Sequence, residues 1–362
     1  MATIYKSAAS VMMSAFAAEA EYATVEAVDI RTLMGQSWTD FVPVSNNVTD
    51  EGMVNGLEGP TVVDTVTKHY ENTFQLDKVY PNTFAALMAY ALGSCTSSTL
   101  DTSGFQHLLA DDDNDRVMES FTTEVRKVAG TTNDKYAGCL VTTLNLSMTK
   151  NQPMTMSASI VAKTRTKDGT GTTAMITTEP AMMGYGVWGW LGDEMIAAGY
   201  VPVIGSCMLD DTDATTTTNN INLSDATNHL LTGFNLTITN ITDITNLFSF
   251  TDDEIIRPVR NERTVTGDFS YESQDSTIAD AMQANTLRAL QVDWLSDTKA
   301  GATIKQGFQI IIPKFRTTGA TSDWGADNRL SGTVNFEAMD DVTNGHIVVT
   351  VNNKQTTYKV ES

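Results

Sequence analysis

Cysteine is scarce in this chain. Cys95, Cys139 and Cys207 stand far apart, odd in number and without any C-x-x-C spacing, which excludes a local zinc or redox motif and implies no disulfide framework. Cys139 falls in an alternating run and reads as a small buried apolar residue. Positive charge is scarce as well. Lys and Arg number 23 against 44 Asp and Glu, for a net charge of −21. Such a field repels phosphate and disfavours tight nucleic-acid binding, although a surface that DNA must pass without sticking would also be acidic. Long apolar runs are missing too, so no segment has the length needed to span a bilayer. The N-terminal "SAASVMMSAFAAEAEY" after Lys6 lacks Leu and Ile and ends among Glu19 and Glu21. It reads as an arm or a capped, interface-bound helix rather than a secretory signal.

The motifs of catalysis are also lacking. Gly184, Gly186 and Gly189 in "GYGVWG" match G-x-G-x-x-G, but "TTEPAMM" before them is no buried strand and Trp188 would crowd a pyrophosphate. Asp111, Asp113 and Asp115 open like a calcium loop. Arg116 stands where that loop needs Gly and Thr122 where it needs a bidentate Glu, so this reads as a solvated acidic loop. His69, His107, His229 and His346 are isolated from one another in sequence and read as surface or sheet residues. No G-x-S-x-G or Walker sequence occurs. Catalytic residues, cofactors and metal ligands are therefore not expected, and the chain is not expected to be an enzyme.

What is present is regular alternation. The 362 residues, 41% hydrophobic and 19% charged, have the composition of a folded protein. In residues 136–163, Leu144, Leu146 and Met148 share one face while Thr143, Asn145, Ser147 and Thr149 share the other. Met154, Met156, Ala158 and Ile160 repeat the pattern after "KNQP", which predicts a hairpin. The same period of two runs through "GFNLTITN", "TVTGDFSYE", "GFQIIIPKF" and "SGTVNFEAM", with a final strand in "GHIVVTVNN". One-faced alternation indicates antiparallel sheets with one wet side. Helices are expected in "PNTFAALMAYALG", with Asn82 as N-cap and Gly93 as stop, and in "DSTIADAMQANTLRALQVDW".

Each of these helices follows a strand that opens "TVT", at Thr65 and at Thr264, which suggests an internal duplication. The expected organisation is an N-terminal arm with the first strands over 1–48 and a first domain over 49–212. That domain carries a Gly/Trp-rich insertion near 180–206. A polar linker over 213–229 then leads to a second domain over 230–362.

On "SFTTEVRKVAGTTNDKYAGCLVTTLNLSMTKNQPMTMSASIVAK", on "RTVTGDFSYE" and the segment after it, and on "GFQIIIPK" followed by "GTVNFEAMDD", the chain resembles a tail tube, or major tail, protein of a long-tailed, siphovirus-like bacteriophage. The resemblance covers much of residues 49–350. It implies a mainly β fold: duplicated tail-tube β-sandwich or barrel domains with flanking helices, whose strands complete a barrel between subunits around a channel. It further implies self-assembly into stacked rings, with a trimeric pseudo-hexamer if the domain is duplicated and a hexamer otherwise. Tape-measure and other tail proteins would be partners, and genomic DNA would pass transiently and non-specifically; no membrane is involved. The protein would be made in the host cytoplasm and reside in the virion tail. Candidates for an acidic lumen lining, from the polar faces of the matched strands, are Glu71, Asp77, Glu124, Asp268, Glu272 and Glu337. The rival reading is a secreted bacterial surface-layer or other cell-surface β protein, which would require Lys6 to Ala20 to be cleaved.

Overall fold

The computed structural model describes residues 13–25, 30–31, 41–49, 63–77, 79, 81–101, 103–111, 116–126, 132–149, 152, 154–170, 208–210, 230–241, 243–249, 252–256, 258–273, 288–302, 305–324, 330–341 and 345–358. The expected Gly/Trp-rich insertion, the 213–229 linker and Cys207 lie outside them.

The predicted hairpin is present as β8 (Thr132–Thr149) and β9 (Thr155–Ala162). It is the centre of a long antiparallel sheet. β3 (Val42–Thr49) pairs with β4 (Val63–Leu76), β4 with β9, and β9 with β8. β8 then pairs with β12 (Leu230–Thr239), β12 with β13 (Thr264–Ser273), β13 with β16 (Leu330–Ala338), and β16 with the second half of β15 (Lys305–Trp324). The order is therefore β3-β4-β9-β8 followed by β12-β13-β16-β15. Among the described residues the sheet stays open at its two ends.

The two fours are built alike. In the β8–β9 hairpin an extra residue, Thr142, sits between the pairs Val141↔Ile160 and Thr143↔Ser159. In the β15–β16 hairpin an extra residue, Thr318, sits between Thr317↔Phe336 and Gly319↔Asn335. Superposing these bulges equates Ser159 with Asn335. Ser159 pairs with Thr73 and Asn335 with Asp268, so Phe74 is the counterpart of Phe269, both buried. The "TVT" match at Thr65 and Thr264 is thus out of step: the structure aligns His69 with Thr264.

β8 and β15 are long because each serves two sheets, with the bulge as the bend. The first half of β8 pairs with β7 (Phe121–Arg126) and β10 (Thr164–Thr170). β7 in turn pairs with β1 (Met13–Ala18), and β1 with β2 (Ile30–Arg31). The expected N-terminal helix is therefore a strand over these residues. The first half of β15 pairs with β14 (Arg288–Lys299) and β17 (Val348–Asn353). β17 continues to β6 (Phe105–Asp111), β6 to β5 (Gly93–Thr99), and β11 (Met208–Asp210) adds to β14.

β14 corrects the second predicted helix. Leu290 and Val292, inside the segment expected to be helical, alternate on a strand and pair with Ile312 and Ile310. The first part of that prediction lies outside the described residues.

The first predicted helix is α1 (Pro81–Leu92). It starts at Pro81, whose missing N–H costs nothing in the first turn, so Asn82 is inside it and is not the cap. Gly93 ends it at a positive φ of 91°. From Phe84 to Leu92 every residue is at most 4% exposed. A helix apolar on all sides must be wrapped, and α1 packs against β8 of one sheet and against β5, β6, β15 and β17 of the other. It fills the space between layers instead of flanking them.

An ion cluster fixes the C-terminus of α1. Arg263 donates through Nη2 to the carbonyls of Ala91 and Leu92, each at 3.0 Å, and through Nε to Asn240 Oδ1 at 2.8 Å. Its Nη1 contacts the carboxylate of Asp111, which also receives His346 Nδ1 at 2.8 Å. A cation at a helix C-terminus is favourable. Burial pushes this guanidinium down to about 10, still charged at neutral pH. Arg263→Met is expected to cost about 3–5 kcal/mol, because it leaves Asp111 short of its main countercharge in the interior. Adding Asp111→Asn should recover part of the loss; urea denaturation of both variants measures it.

Candidate functional site

The long sheet presents one wet face. Successive cross-strand rows run Gln75, Ser157, Asn145, Thr237, Thr266, Glu337, Arg316 and Thr155, Ser147, Asn235, Asp268, Asn335, Gly319. The opposite face carries Phe74, Leu144, Leu146, Met156, Ile160, Phe234, Leu236, Phe269, Val334 and Phe336, all buried. Period-two alternation alone produces this division.

The polar side chains hold one another laterally. Ser147 Oγ donates to Asn235 Oδ1 at 2.6 Å, and Asn235 Nδ2 donates to Asp268 at 2.9 Å. Thr237 donates to Asn145 Oδ1 at 2.9 Å, and Ser270 and Thr333 meet at 3.0 Å. Arg316 Nε donates to Glu337 at 2.9 Å.

Four of the six acidic candidates stand on this face: Glu71, Asp268, Glu272 and Glu337, opposite Val161, Asn335, Ser331 and Thr266 respectively. Asp77 follows directly on β4 and is half-buried. Glu124 is elsewhere. It lies on β7, paired with Lys135 in register, and is 3% exposed. Asn145 and Ser147 stand on the polar face expected of them, whereas Asp323, exposed opposite Ser331, belongs to the face and was missed, as were Asn235 and Thr237. The alternation that located the hairpins would have found them had amides and hydroxyls been counted beside carboxylates.

Two other polar clusters are internal ties. Glu19 receives Ser120 Oγ at 2.7 Å, Thr122 Oγ1 at 2.9 Å, and the N–H groups of Ala23 and Gly138 at 2.8 Å each, which locks the turn after β1 onto β7 and β8. His107 Nδ1 meets Ser97 Oγ at 2.8 Å, its Nε2 meets Asn353 Oδ1 at 3.0 Å, and Asn353 donates to Tyr358 at 2.7 Å. The order of groups is that of a nucleophile, base and orienting amide. Burial, however, pushes the imidazole down to about 4, too low for a general base at neutral pH. Its place between β5, β6 and β17 makes it a pin for the segment leading to Tyr358.

Asp111, the first residue of the supposed calcium loop, spends its carboxylate on Arg263 and His346, and residues 112–115 lie outside the described ones. Among the described residues there is no group of His, Cys, Asp or Glu able to hold a metal ion. No described helix is long and apolar enough to cross a membrane.

A mainly β chain with one long, one-faced sheet is what the sequence resemblance implies, and a family model agrees: that of the phage tail tube protein matches residues 14–352. The chain belongs to the phage tail tube protein family. It is a structural protein of the bacteriophage tail, and the family assembles with itself and with other tail proteins. No curated protein matches the chain. The surface-layer reading falls with this membership, and also because the cleavage it needs would remove β1, a paired strand of the fold.

The pinned His107 gives this tail tube protein a pH signature. Its folded-state value, about 4, lies below the ordinary 6.5, so the unfolded chain binds more protons between these pH values. Stability is full above pH 6.5 and falls as pH drops toward 4, by up to about 3 kcal/mol. Urea midpoints from pH 7 to 4 should show this loss in the parent and a shallower one in His107→Gln.

Proposed function

We propose that three copies of this tail tube protein close into a ring, that rings stack into a tube, and that the wet face of the long sheet lines the channel. Each chain supplies two four-stranded modules, β3-β4-β9-β8 and β12-β13-β16-β15, which we read as the two halves of a duplication. The observation that carries the proposal is the open sheet itself, which has two like halves, one apolar face already packed and one polar face that, among the described residues, is covered only at its β4–β9 end, where Leu247, Phe248 and Ile255 lie near His69 and Val161. A sheet with two free ends removes its edges by closing.

The channel would conduct the genome and house a tape-measure protein, with subunits made in the host cytoplasm before assembly. Glu71, Asp268, Glu272, Glu337 and the neighbouring Asp77 are the proposed acidic lining, to which Asp323 is added. Buried Glu124 is left out, since it cannot face a lumen in this fold. Carboxylates among hydroxyls and amides repel phosphate, and Arg316 on the same face is already paired with Glu337.

Negative-stain microscopy of the purified protein should show tubes with an open channel, and persistent monomers at high concentration would overturn the proposal. Tubes of Asp268→Lys with Glu272→Lys should retain linear DNA in sedimentation at low salt and release it as salt rises. Equal, negligible retention by parent and variant would remove these two residues from the lining.

A further inference from the structure

The chain contains, inside itself, one finished joint between modules. β12 opens the second module and pairs with β8, the last strand of the first, through Gly233↔Thr149, Asn235↔Ser147, Thr237↔Asn145 and Thr239↔Thr143. The outer ends of the sheet are the same two strands in the opposite roles. β3 is the counterpart of β12, and the second half of β15 is the counterpart of β8. Among the described residues β3 pairs with β4 alone, and Gly319–Asp323 with β16 alone.

We infer that the internal β8–β12 ladder is the template for the joint between subunits, so that β15 of one copy pairs antiparallel with β3 of the next in a defined register. This inference rests on the ring proposed above and adds to it which residues meet. The matched bulges equate Asn145 with Thr321 and Thr143 with Gly319. Thr73 matches Asp268, so Glu71 matches Thr266 and His69 matches Thr264. Glu71 pairs with Val42 and His69 with Val44, whereas Thr266 pairs with Thr237 and Thr264 with Thr239. Val42 therefore takes the place of Thr237 and Val44 that of Thr239. The predicted pairs across the joint are Thr321↔Val42 and Gly319↔Val44.

The surface chemistry fits this partner. Val42 and Val48 on β3 are 58% and 57% exposed, and Val66 beside them on β4 is 47% exposed. Three large apolar side chains stand exposed at one edge of a sheet whose outward face is mostly polar. In the predicted register Val42 meets Thr321 and Val44 meets Gly319, both small residues. Gly319 has open space at its Cβ position apart from Asn335 Nδ2 at 3.3 Å.

Pro43 occupies the place of Ile238, whose counterpart pair Ile238↔Leu144 belongs to the internal ladder. Proline is tolerated in a sheet where its missing donor points off the edge. It leaves the joint one bond short and discourages pairing by unrelated strands before assembly. Because the two edges are different surfaces, the contact is head to tail, and such contacts close into rings when the rotation permits.

Cysteine pairs test the register. Asn240 N donates to Thr142 O at 2.8 Å, so on the β8 side the even-numbered residues of β12 carry the hydrogen bonds. Thr237↔Asn145 is then a non-hydrogen-bonded pair, with Cα atoms about 4.5 Å apart, within disulfide reach. In a Cys95→Ser, Cys207→Ser background, Thr321→Cys with Val42→Cys should oxidise to a covalent closed trimer that takes up most of the protein on a non-reducing gel. Gly319→Cys with Val44→Cys serves as a second, independent pair should the first fail to fold. Ala320→Cys with Val42→Cys places the thiols on opposite faces and should give at least tenfold less crosslinked product. Tubes that form without crosslinking in either matched pair, or with equal crosslinking in the control, would overturn the register and leave the ring standing. Failure of the parent protein to form rings or tubes at all would overturn both.

Discussion

The antiparallel ladder between β8 and β12 is the contact on which the rest of the structure depends. Its seven paired positions, from Gly233↔Thr149 to Thr239↔Thr143, join strands that are far apart in the chain. Without it there are two half-sheets, each with a bare edge. The ladder also leads directly into the buried ion cluster. At its end Asn240 donates through its backbone to Thr142 and through its side chain to Ala91 and Val141, and Arg263 holds Asn240 and α1 together. One register therefore fixes the joint between modules and the seat of the helix between layers. A slip of one residue would turn every core side chain of β12 outward, and would separate Asn240 from both groups.

The core side of the sheet solves a second problem. Gly267 and Gly332 lie in β13 and β16 with aromatic rings laid across them, Phe336 over Gly267 and Tyr271 over Gly332. A Cβ at Gly267 would meet the Phe336 ring and the Asn235 carbonyl. The missing side chain thus lets the aromatic layer of Phe234, Phe269, Phe315 and Phe336 close over the backbone. Rings covering strand glycines pin cross-strand register, which suits a sheet whose polar face offers little packing of its own.

Alternation was legible in the sequence because it is local: each strand that it indicated is present, though the first half of β15 and β17 are buried on both faces, with Gln309, Thr350 and Asn352 inside. Contacts between distant residues were not legible. Leu290 lies in a stretch rich in helix formers, yet it alternates with Val292 on a strand, and Ile310 and Ile312, which the chain brings alongside, decide between the two. The "TVT" echo misled for a related reason. Val66 is exposed and Val265 buried, so identical letters occupy opposite environments, whereas Phe74 and Phe269 share a place in the core without sharing a conspicuous motif. Asp111, Arg263 and His346 carry no common spacing, and their meeting is a property of the fold. The acidic candidates were chosen strand by strand. On β4, β13 and β16 this picked residues of the polar face, whereas on β7 it picked the buried Glu124.

Asn235 gives the wet face a mechanical character. Its carbonyl oxygen is taken by Ser147 and its amide protons by Asp268, so a side chain with two handles presents neither to whatever passes. Its neighbour Asn145 is engaged likewise, its carbonyl oxygen by Thr237 and its amide by Ser157. In the proposed channel a polymer sliding along this wall would meet groups already engaged sideways and gain little by pausing at any of them. The energy profile along its path is then shallow, and resistance to motion comes from the viscosity of the intervening water rather than from a series of sticky stops.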